Sequence, residues 1–410
     1  MSQRSQILSF ALVVAALGYF VDIYDLLLFS IIRIPSLQSF GLSAEAVKEG
    51  GESILTWQMW GLLLGGIIWG VMGDKRGRMS VLFGSILLYS LANIANGFVH
   101  SVEQYKWIRF IAGLGLAGEL GAGITLVSEL TPKEKRGIAT SLVAGIGLTG
   151  AVAAFFIKEN FHWRTAYFIG GGLGFLLLLL RVSMFESGLF KQLKESGVQR
   201  GNFFMLFQNA DRFKRYFLGI LIGLPTWFVI GVLVSFSKEF GAAMDIRGAI
   251  DPGKAIMYAY AAISLGDILI GFVSQWLRSR KQALFLFYGI TALFIILFFT
   301  ILPGGTPAQL YWICAGLGFG TGFWAIFVTM AAEQFGTNLR ATTATTIPNM
   351  VRGMLAVLIL PLFKLLRGAG DAEQYVRAGW MTALIIMVIT VVAALFTKET
   401  FGKDLNYVEE

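Results

Sequence analysis

"GDKRGRMSV", residues 73–81, sets four charged side chains in nine positions. It lies between two apolar runs, "WQMWGLLLGGIIWGVM" (57–72) and "LFGSILLYSLANIANGF" (82–98). A helix needs about 20 apolar residues to cross the hydrocarbon of a bilayer. A charged knot between two such runs therefore reads as the short turn between two membrane-spanning helices. Gly73 and Gly77 permit a tight turn there. Asp74 is placed to face the partly positive N-terminal end of another helix.

The rest of the chain extends this reading. Its 410 residues are 56% hydrophobic and 14% charged, with a mean hydropathy of +0.70; soluble domains carry about 25% charged residues. Twelve apolar runs are long enough to span, at roughly 7–34, 53–73, 79–98, 105–130, 137–157, 165–183, 215–237, 255–276, 282–302, 308–332, 341–366 and 378–397. The first contains Asp22 and Asp25 and no small-residue cleavage site follows it, so it reads as a retained helix, not a signal peptide. With the N-terminus inside, the alternate loops carry 20 Lys and Arg against 10 on the opposite loops. That bias predicts both termini in the cytoplasm of a multi-pass plasma-membrane protein, the inner membrane of a bacterial cell. The net charge of +8 is then a property of basic cytoplasmic loops, and no nucleic-acid partner is expected.

The chain also repeats itself. "AGLGLAGELGAG" begins at Ala112 and "AGLGFGTGFWAI" at Ala315. Glu129 and Arg136 follow the first copy, and Glu333 and Arg340 follow the second, 204 residues on in each case. The expected architecture is an all-α membrane protein with 12 transmembrane helices in two pseudo-symmetric six-helix bundles. Residues 1–183 form the first bundle, 184–213 a polar cytoplasmic linker and 214–410 the second bundle. "FKQLKESG" (190–197) reads as a short amphipathic surface helix.

Charges inside spanning helices cost about 2.5–3.5 kcal/mol each at the centre, so they mark the working parts. Asp22 and Asp25 share a face of helix 1. Arg109 and Glu119 lie in helix 4, Asp267 in helix 8 and Arg352 in helix 11, while Arg33 sits near the outer end of helix 1. A buried carboxylate balanced between desolvation and a nearby arginine makes a proton carrier. Asp25 with Arg109 is the preferred coupling pair, Asp22 and Glu119 are further candidates, and the alternative for each is a permanent structural ion pair. Arg352 is placed to hold an anionic substrate group through its planar fork, or else pairs with Asp267 or another acid. Tyr24, Gln58, Trp60, Tyr89, Trp227, Trp324 and Asn349 are the candidate cavity lining. Pro225, Pro348 and Pro361 predict bent helices.

These residues carry a resemblance. Gly73-Asp74-Lys75-Arg76-Gly77-Arg78 resembles the loop 2–3 signature of the major facilitator superfamily, G-x-x-x-D-R-x-G-R-R, with Lys75 and Met79 as departures. "GYFVDIYDLLLFS" (18–30) and "RFIAGLGLAGELGAGITLVSELTPKEKRG" (109–137) are similar to its metabolite:proton symporter branch. In the second half the loop 8–9 segment "QWLRSRK" (275–281) has lost the acidic residue and the glycine. The resemblance implies the major facilitator fold. It also implies that Asp74 faces the start of helix 11, near Thr342. Gly73, Asp74, Gly77, Arg78, Glu129 and Arg136 would then form a cytoplasmic latch, with Arg78 pairing Glu129 and Arg136 joining them.

The function expected is secondary active transport by alternating access, as proton-coupled import of a small organic acid or zwitterionic metabolite. An uncoupled facilitator or an exporter on the same fold remains open, and more remotely a non-transporting sensor. The partners are the substrate, a proton and the lipid bilayer, for a chain acting as a monomer. Nothing points to an enzyme. No phosphate-binding loop, nucleophile constellation or metal-ligand cluster is present, so no cofactor and no metal are expected. His100 and His162 fall in outer loops, away from any proton path through the centre. Cys314, the single cysteine, sits among apolar neighbours and reads as a packed core thiol. Helix 5 lacks the Gly-Pro signature of drug:proton antiporters.

Overall fold

The computed structural model describes residues 3–132, 135–181, 201–368 and 372–409. Residues 184–200 of the expected linker, with its amphipathic segment, lie outside the described residues. Among the described residues, twelve helices are long and apolar enough to span a bilayer. They are α1 (Leu12–Gln38), α2 (Glu45–Arg76), α3 (Arg78–Asn96), α4 (Val102–Leu130), α5 (Arg136–Asn160) and α6 (Trp163–Arg181) in the first half. The second half holds α7 (Ala210–Val234), α8 (Pro252–Leu277), α9 (Arg280–Thr300), α10 (Pro307–Glu333), α11 (Arg340–Arg367) and α12 (Ala372–Phe396). The turns at 73–81, 131–136, 277–280 and 334–340 share one face, called the basic face below; the other is the far face.

The ends of these helices follow local chemistry. α2 and α3 are separated only by Gly77, whose φ of 100° lies where a residue with a Cβ is strained. α2 begins eight residues before the expected 53 because Ser43 caps it, its side chain accepting from the Ala46 N–H, with Glu45 in the first turn. That polar start projects past the hydrocarbon on the far face. The Asn209 side chain accepts from the N–H groups of Asp211 and Arg212 and so starts α7 at Ala210. The expected boundary between linker and second bundle, 213/214, therefore falls inside α7.

The repeat is visible in helix defects as well as in sequence. α4 is interrupted at Ala117–Gly118, and α10 at Thr321–Phe323, the equivalent place. Two further defects are not shared by the repeat: α7 passes into a π-helical stretch, Val229–Val234, just after Pro225, and α11 does so at Leu355–Ile359, between Pro348 and Pro361. Wide turns of this kind concentrate where helices bend around functional sites.

The halves meet along a polar seam. On the basic-face side Thr140 of α5 and Thr329 of α10 share a hydrogen bond of 2.8 Å. The Ser264 hydroxyl of α8 donates to the Gly145 carbonyl of α5 at 2.6 Å, and the Asn349 amide of α11 donates to the Ala117 carbonyl at the α4 break, 2.7 Å. After α12 the chain turns back beneath the second half. Thr337 donates its N–H to the Tyr407 carbonyl (2.8 Å), and Arg215 grips Glu409 with two bonds of 2.9 and 3.1 Å. Burial pushes the Glu399 carboxyl up, but the Ser279 hydroxyl and the N–H groups of Phe401, Arg280 and Lys281 outweigh it and hold the group below the usual range.

Candidate functional site

The charged side chains of the seam lie at three levels. At the basic face Asp74 accepts from the N–H groups of Ala341 (3.1 Å) and Thr342 (2.8 Å), the open donors at the start of α11. This is the helix end that the resemblance implies. Arg78 Nη2 lies 2.8 Å from Glu129 Oε1, and Arg78 Nη1 3.6 Å from Asp74. Gly73 contributes its carbonyl, which accepts from Arg78 at 3.1 Å.

Arg136 does not join this group. Its partner is Glu333 of the second half, at 3.5 Å, and Glu333 is held in turn by Arg280 at 3.2 Å and by the Thr400 hydroxyl at 2.8 Å. The place expected for Arg136 is taken by Arg340, which reaches Glu129 at 3.3 Å. Two crossed latches result. Glu129 is shared by Arg78 of its own half and Arg340 of the other, and Glu333 by Arg280 of its own half and Arg136 of the other. The 204-residue spacing of Glu129/Glu333 and of Arg136/Arg340 already contained this symmetry. Pairing Arg136 with the nearest glutamate in the chain missed it, because the pseudo-twofold axis exchanges partners between halves. The two cross-seam arginines also donate to backbone carbonyls of the returning tail, Arg340 to Leu405 (2.5 Å) and Arg136 to Lys403 (3.4 Å).

Within the first half two buried ion pairs separate the intramembrane acids. Arg109 donates to the Asp25 carboxylate at 2.7 Å and to the Asp25 carbonyl at 3.0 Å, and its Nε donates to Gln58 Oε1 at 3.3 Å. Gln58 passes its own amide N–H to the Leu26 carbonyl, 2.9 Å. Gln58 is thus a strut for Arg109 and not free cavity lining. Glu119 is clasped by Arg181 through both guanidinium nitrogens, one bond measuring 2.9 Å. Gly18 of α1 leaves the space for this clasp; a Cβ there would stand 1.9 Å from Arg181 and 2.0 Å from Glu119. Arg181 closes α6 as a fully buried side chain; its partner lies 62 residues away in the chain, and nothing local to either residue points to the other.

Asp22 behaves differently from Asp25, though it is one turn away. Neither of its carboxylate oxygens has a hydrogen-bond partner among the described residues. Its nearest cation is Arg352 of the other half, with Nη2 to Oδ2 at 3.9 Å. Arg352 is steadied by Asn349, whose amide oxygen accepts at 3.3 Å, and lies 5.9 Å over the Trp324 ring. Its Nε and the Trp324 indole N–H find no hydrogen-bond partner among the described residues. Asp267, the alternative partner for Arg352, instead accepts from the Ala325 N–H at 3.0 Å and so starts the second segment of α10. Tyr19 and Tyr260 stand within electrostatic range of both Arg352 and Asp22. Neither was singled out in the sequence, where 12 tyrosines among 57 aromatic residues offer no distinguishing signal.

The other lining candidates sort by their bonds. Tyr24 turns into the first half and donates to the Ala166 carbonyl at 2.7 Å. Trp60 is 42% exposed on the outside of the bundle, the side a bilayer covers. Trp227 and Tyr89 are buried, and their polar atoms find no hydrogen-bond partner among the described residues. Cys314 is buried with a free thiol. No group of His, Cys, Asp or Glu among the described residues is arranged to hold a metal ion.

A layered arrangement of this kind, with cross-seam charges at one face and a loosely paired acid and arginine at mid-depth, suits a carrier whose halves part alternately. The comparisons agree. The chain is 26% identical to the niacin transporter NiaP of Acinetobacter baylyi over 96% of its own length and 94% of that protein. It is 24% identical to the gentisate transporter of Corynebacterium glutamicum, covering 78% and 73%. A solved structure of the proton:xylose symporter XylE superposes with a TM-score of 0.76 over 98% of both chains at 17% identity, which establishes the fold. Residues 8–361 match the profile of the Major Facilitator Superfamily, and the chain belongs to that superfamily as a membrane transporter, not an enzyme.

Proposed function

We propose that this protein is a proton-coupled importer of small organic acids, with aromatic carboxylates as the best fit, acting as a monomer in the plasma membrane with its basic face in the cytoplasm. The observation that carries the reading is the Asp22–Arg352 pair. It bridges the halves at 3.9 Å, too far for a hydrogen bond. Each partner therefore keeps bonding capacity for something else. A substrate carboxylate can take the planar fork of Arg352 in a paired, charge-assisted contact. Asp22 then loses its cation, and a proton arriving on one of its two open oxygens cancels the charge left behind. Loading the acid and loading the proton are thereby linked at one place, and substrate and proton cross together.

The Trp324 ring beside Arg352 supplies a flat apolar wall, which suits an aromatic body attached to the carboxylate. The relatives named for niacin and gentisate carry acids of that shape. Asp25 and Arg109, the pair preferred on sequence grounds for coupling, fit a supporting role, because three bonds fix the arginine within its own half. The 20-to-10 bias of Lys and Arg supports the orientation. Five of the twenty, Arg78, Arg136, Arg181, Arg280 and Arg340, are buried in ion pairs, and the remaining fifteen still outnumber the ten opposite.

In vesicles, Asp22→Asn is expected to abolish pH-driven accumulation of nicotinate or 4-hydroxybenzoate while sparing exchange of labelled for unlabelled acid. Uphill accumulation by Asp22→Asn overturns the coupling assignment. Arg352→Lys is expected to raise the dissociation constant for these acids about tenfold, because an ammonium keeps the charge but loses the planar two-point fork. Stabilisation of the purified protein by neutral analogues but not by the acids overturns the substrate class.

A further inference from the structure

Asp267 of α8 takes no part in the scheme above. It is fully buried, yet it differs from the other intramembrane acids. Asp22, Asp25 and Glu119 each face an arginine. Asp267 has no ion-pair partner among the described residues and is held by backbone. The Ala325 N–H donates to its Oδ1 at 3.0 Å, and the Trp324 N–H lies in range of the same carboxylate. These are the first donors of the segment Trp324–Glu333, with which α10 resumes after its break. First-turn N–H groups have no acceptor within their own helix, and an unmet donor is costly inside a bilayer. Phe323, at the cap position, has no side-chain acceptor to offer. The cap comes instead from another helix, and its charge suits the positive end of the segment.

The approach is built into the sequence. A Cβ on Gly322 would stand 2.7 Å from Gly266 Cα, and one on Gly266 2.7 Å from the Phe319 carbonyl oxygen. α8 and α10 thus touch backbone to backbone beside the break, and a side chain as short as aspartate reaches the donors. The first half lacks this device. There α4 resumes at Glu119 with no side-chain cap, and α2, the repeat counterpart of α8, has no acid between Gln58 and Asp74. A carboxylate present in one half only is not needed to build the shared fold. What sets the second half apart is Trp324, the first residue of the resumed segment. Its ring lies 5.9 Å from the Arg352 guanidinium and 5.0 Å from the Phe327 ring. Tyr19, in range of Arg352 and Asp22, is in range of Asp267 as well, so cap and candidate site are neighbours.

We infer that Asp267 is a positioning residue: by fixing where α10 resumes, it holds the Trp324 ring beside Arg352 and so gives the site its preference for flat, aromatic acids. This role rests on the organic-acid reading and names the residue behind one feature of it. Without the cap, the open N–H groups of Trp324 and Ala325 must find acceptors by rewinding the break or by extending it. Either shift carries the ring along, because it stands on the first residue of the segment. Arg352 stands on α11 and keeps Asn349, so its hold on a carboxylate persists while the wall beside it is lost.

Two measurements test this. In protein labelled with 5-fluorotryptophan, the Trp324 fluorine resonance is assigned by its loss in Trp324→Phe. Asp267→Ala, which has no acceptor, is expected to move that resonance. Asp267→Asn, which keeps one acceptor oxygen, is expected to leave it near the parent position. An unmoved resonance in Asp267→Ala, or the same displacement in Asp267→Asn, overturns the positioning role. This readout needs no substrate, so it decides the role of Asp267 whether or not the protein binds organic acids. Binding of nicotinate to the purified protein gives the second measurement. Asp267→Ala and Trp324→Leu are each expected to raise its dissociation constant about two- to tenfold, the loss of one aromatic contact. The double variant is expected to bind no more weakly than Trp324→Leu alone. Losses that multiply in the double variant overturn the role, because Asp267 then acts on binding without Trp324. If Asp267→Ala does not accumulate as folded protein, Asp267→Ser, whose hydroxyl falls short of the donors, takes its place in both measurements.

Discussion

At the scale of single residues, the number of bonds an intramembrane acid makes separates structural from working positions. Asp22, Asp25 and Glu119 were all candidates because each is a carboxylate inside a spanning helix. Asp25 and Glu119 prove to be tied to arginines of their own half, and only Asp22 faces its cation across the seam. Helical periodicity told that Asp22 and Asp25 share a face. It could not tell that the face straddles two environments, since three residues turn a helix by about 300° and leave the two side chains about 60° apart. The Glu119–Arg181 clasp is the clearest structural pair. Glu119→Gln leaves Arg181 buried with its charge uncompensated, a loss of about 3–5 kcal/mol. The expected result is a purified protein whose thermal unfolding midpoint falls by several degrees. Asp22→Asn, which removes a carboxylate with no hydrogen bond to lose, is expected to leave the midpoint near that of the parent. Equal midpoints for the parent and Glu119→Gln sink this distinction.

At the scale of elements, the α2–α3 turn was legible in the sequence, because glycine spacing and an acid next to basic residues have a physical use at a helix end; that this end belongs to α11 followed only from the resemblance to the superfamily. The Asp74 contact with the first N–H groups of α11 is that use. Its counterpart in the repeat is missing, since position 278 is arginine. There the Arg280 guanidinium comes within 2.3 Å of where a Cβ on Gly137 would be, at the start of α5. The basic-face gate is symmetric in its two crossed latches and asymmetric in its helix cap. Asp74→Asn keeps one acceptor oxygen but removes the charge that favours the helix N-terminus, an effect of about 0.3–2 kcal/mol depending on burial. The expected outcome is a slower transport cycle and faster labelling, by a membrane-impermeant maleimide, of a single cysteine replacing Thr329 in a Cys314→Ala background; Thr329 faces Thr140 on the basic side of the seam. Identical kinetics and identical labelling would leave the turn with a topological role alone. The contact of the tail with Arg340 and Arg136 was not legible, because both arginines meet backbone carbonyls, which every residue possesses.

At the scale of the whole molecule, the halves are bonded at both faces and at mid-depth, so this is a closed form lying between the two open ones. At the far face the ion pairs Arg33–Glu239, Lys158–Asp251 and Lys364–Glu52 join them. The two faces differ in contact with solvent, and that difference has a measurable consequence. Salt screens charges that reach water and acts much less on buried ones; the Debye length is about 10 Å at 0.1 M and about 3 Å at 1 M. Exposed pairs are worth only about 0.2–1 kcal/mol each, and at the far face Lys158–Asp251 and Lys364–Glu52 reach water, while in Arg33–Glu239 the arginine is buried. A second reporter cysteine replaces Ile256, buried on α8 one turn inward of Gly253, which faces Ile31 of α1 across the seam. Raising sodium chloride from about 0.05 M to 1 M, without substrate or pH gradient, is expected to speed labelling of the Ile256 cysteine from the far face by a fewfold. The Thr329 cysteine is expected to keep its rate, because Glu129 and Glu333 stay out of contact with the solution while the basic gate is shut. The control combines Lys158→Glu with Asp251→Lys, in which a pair that reaches water is reversed and should respond to salt as the parent does. If both cysteines accelerate together, the faces are not divided by exposure. If neither does, the far-face pairs are ornaments of a seam held shut by its apolar packing.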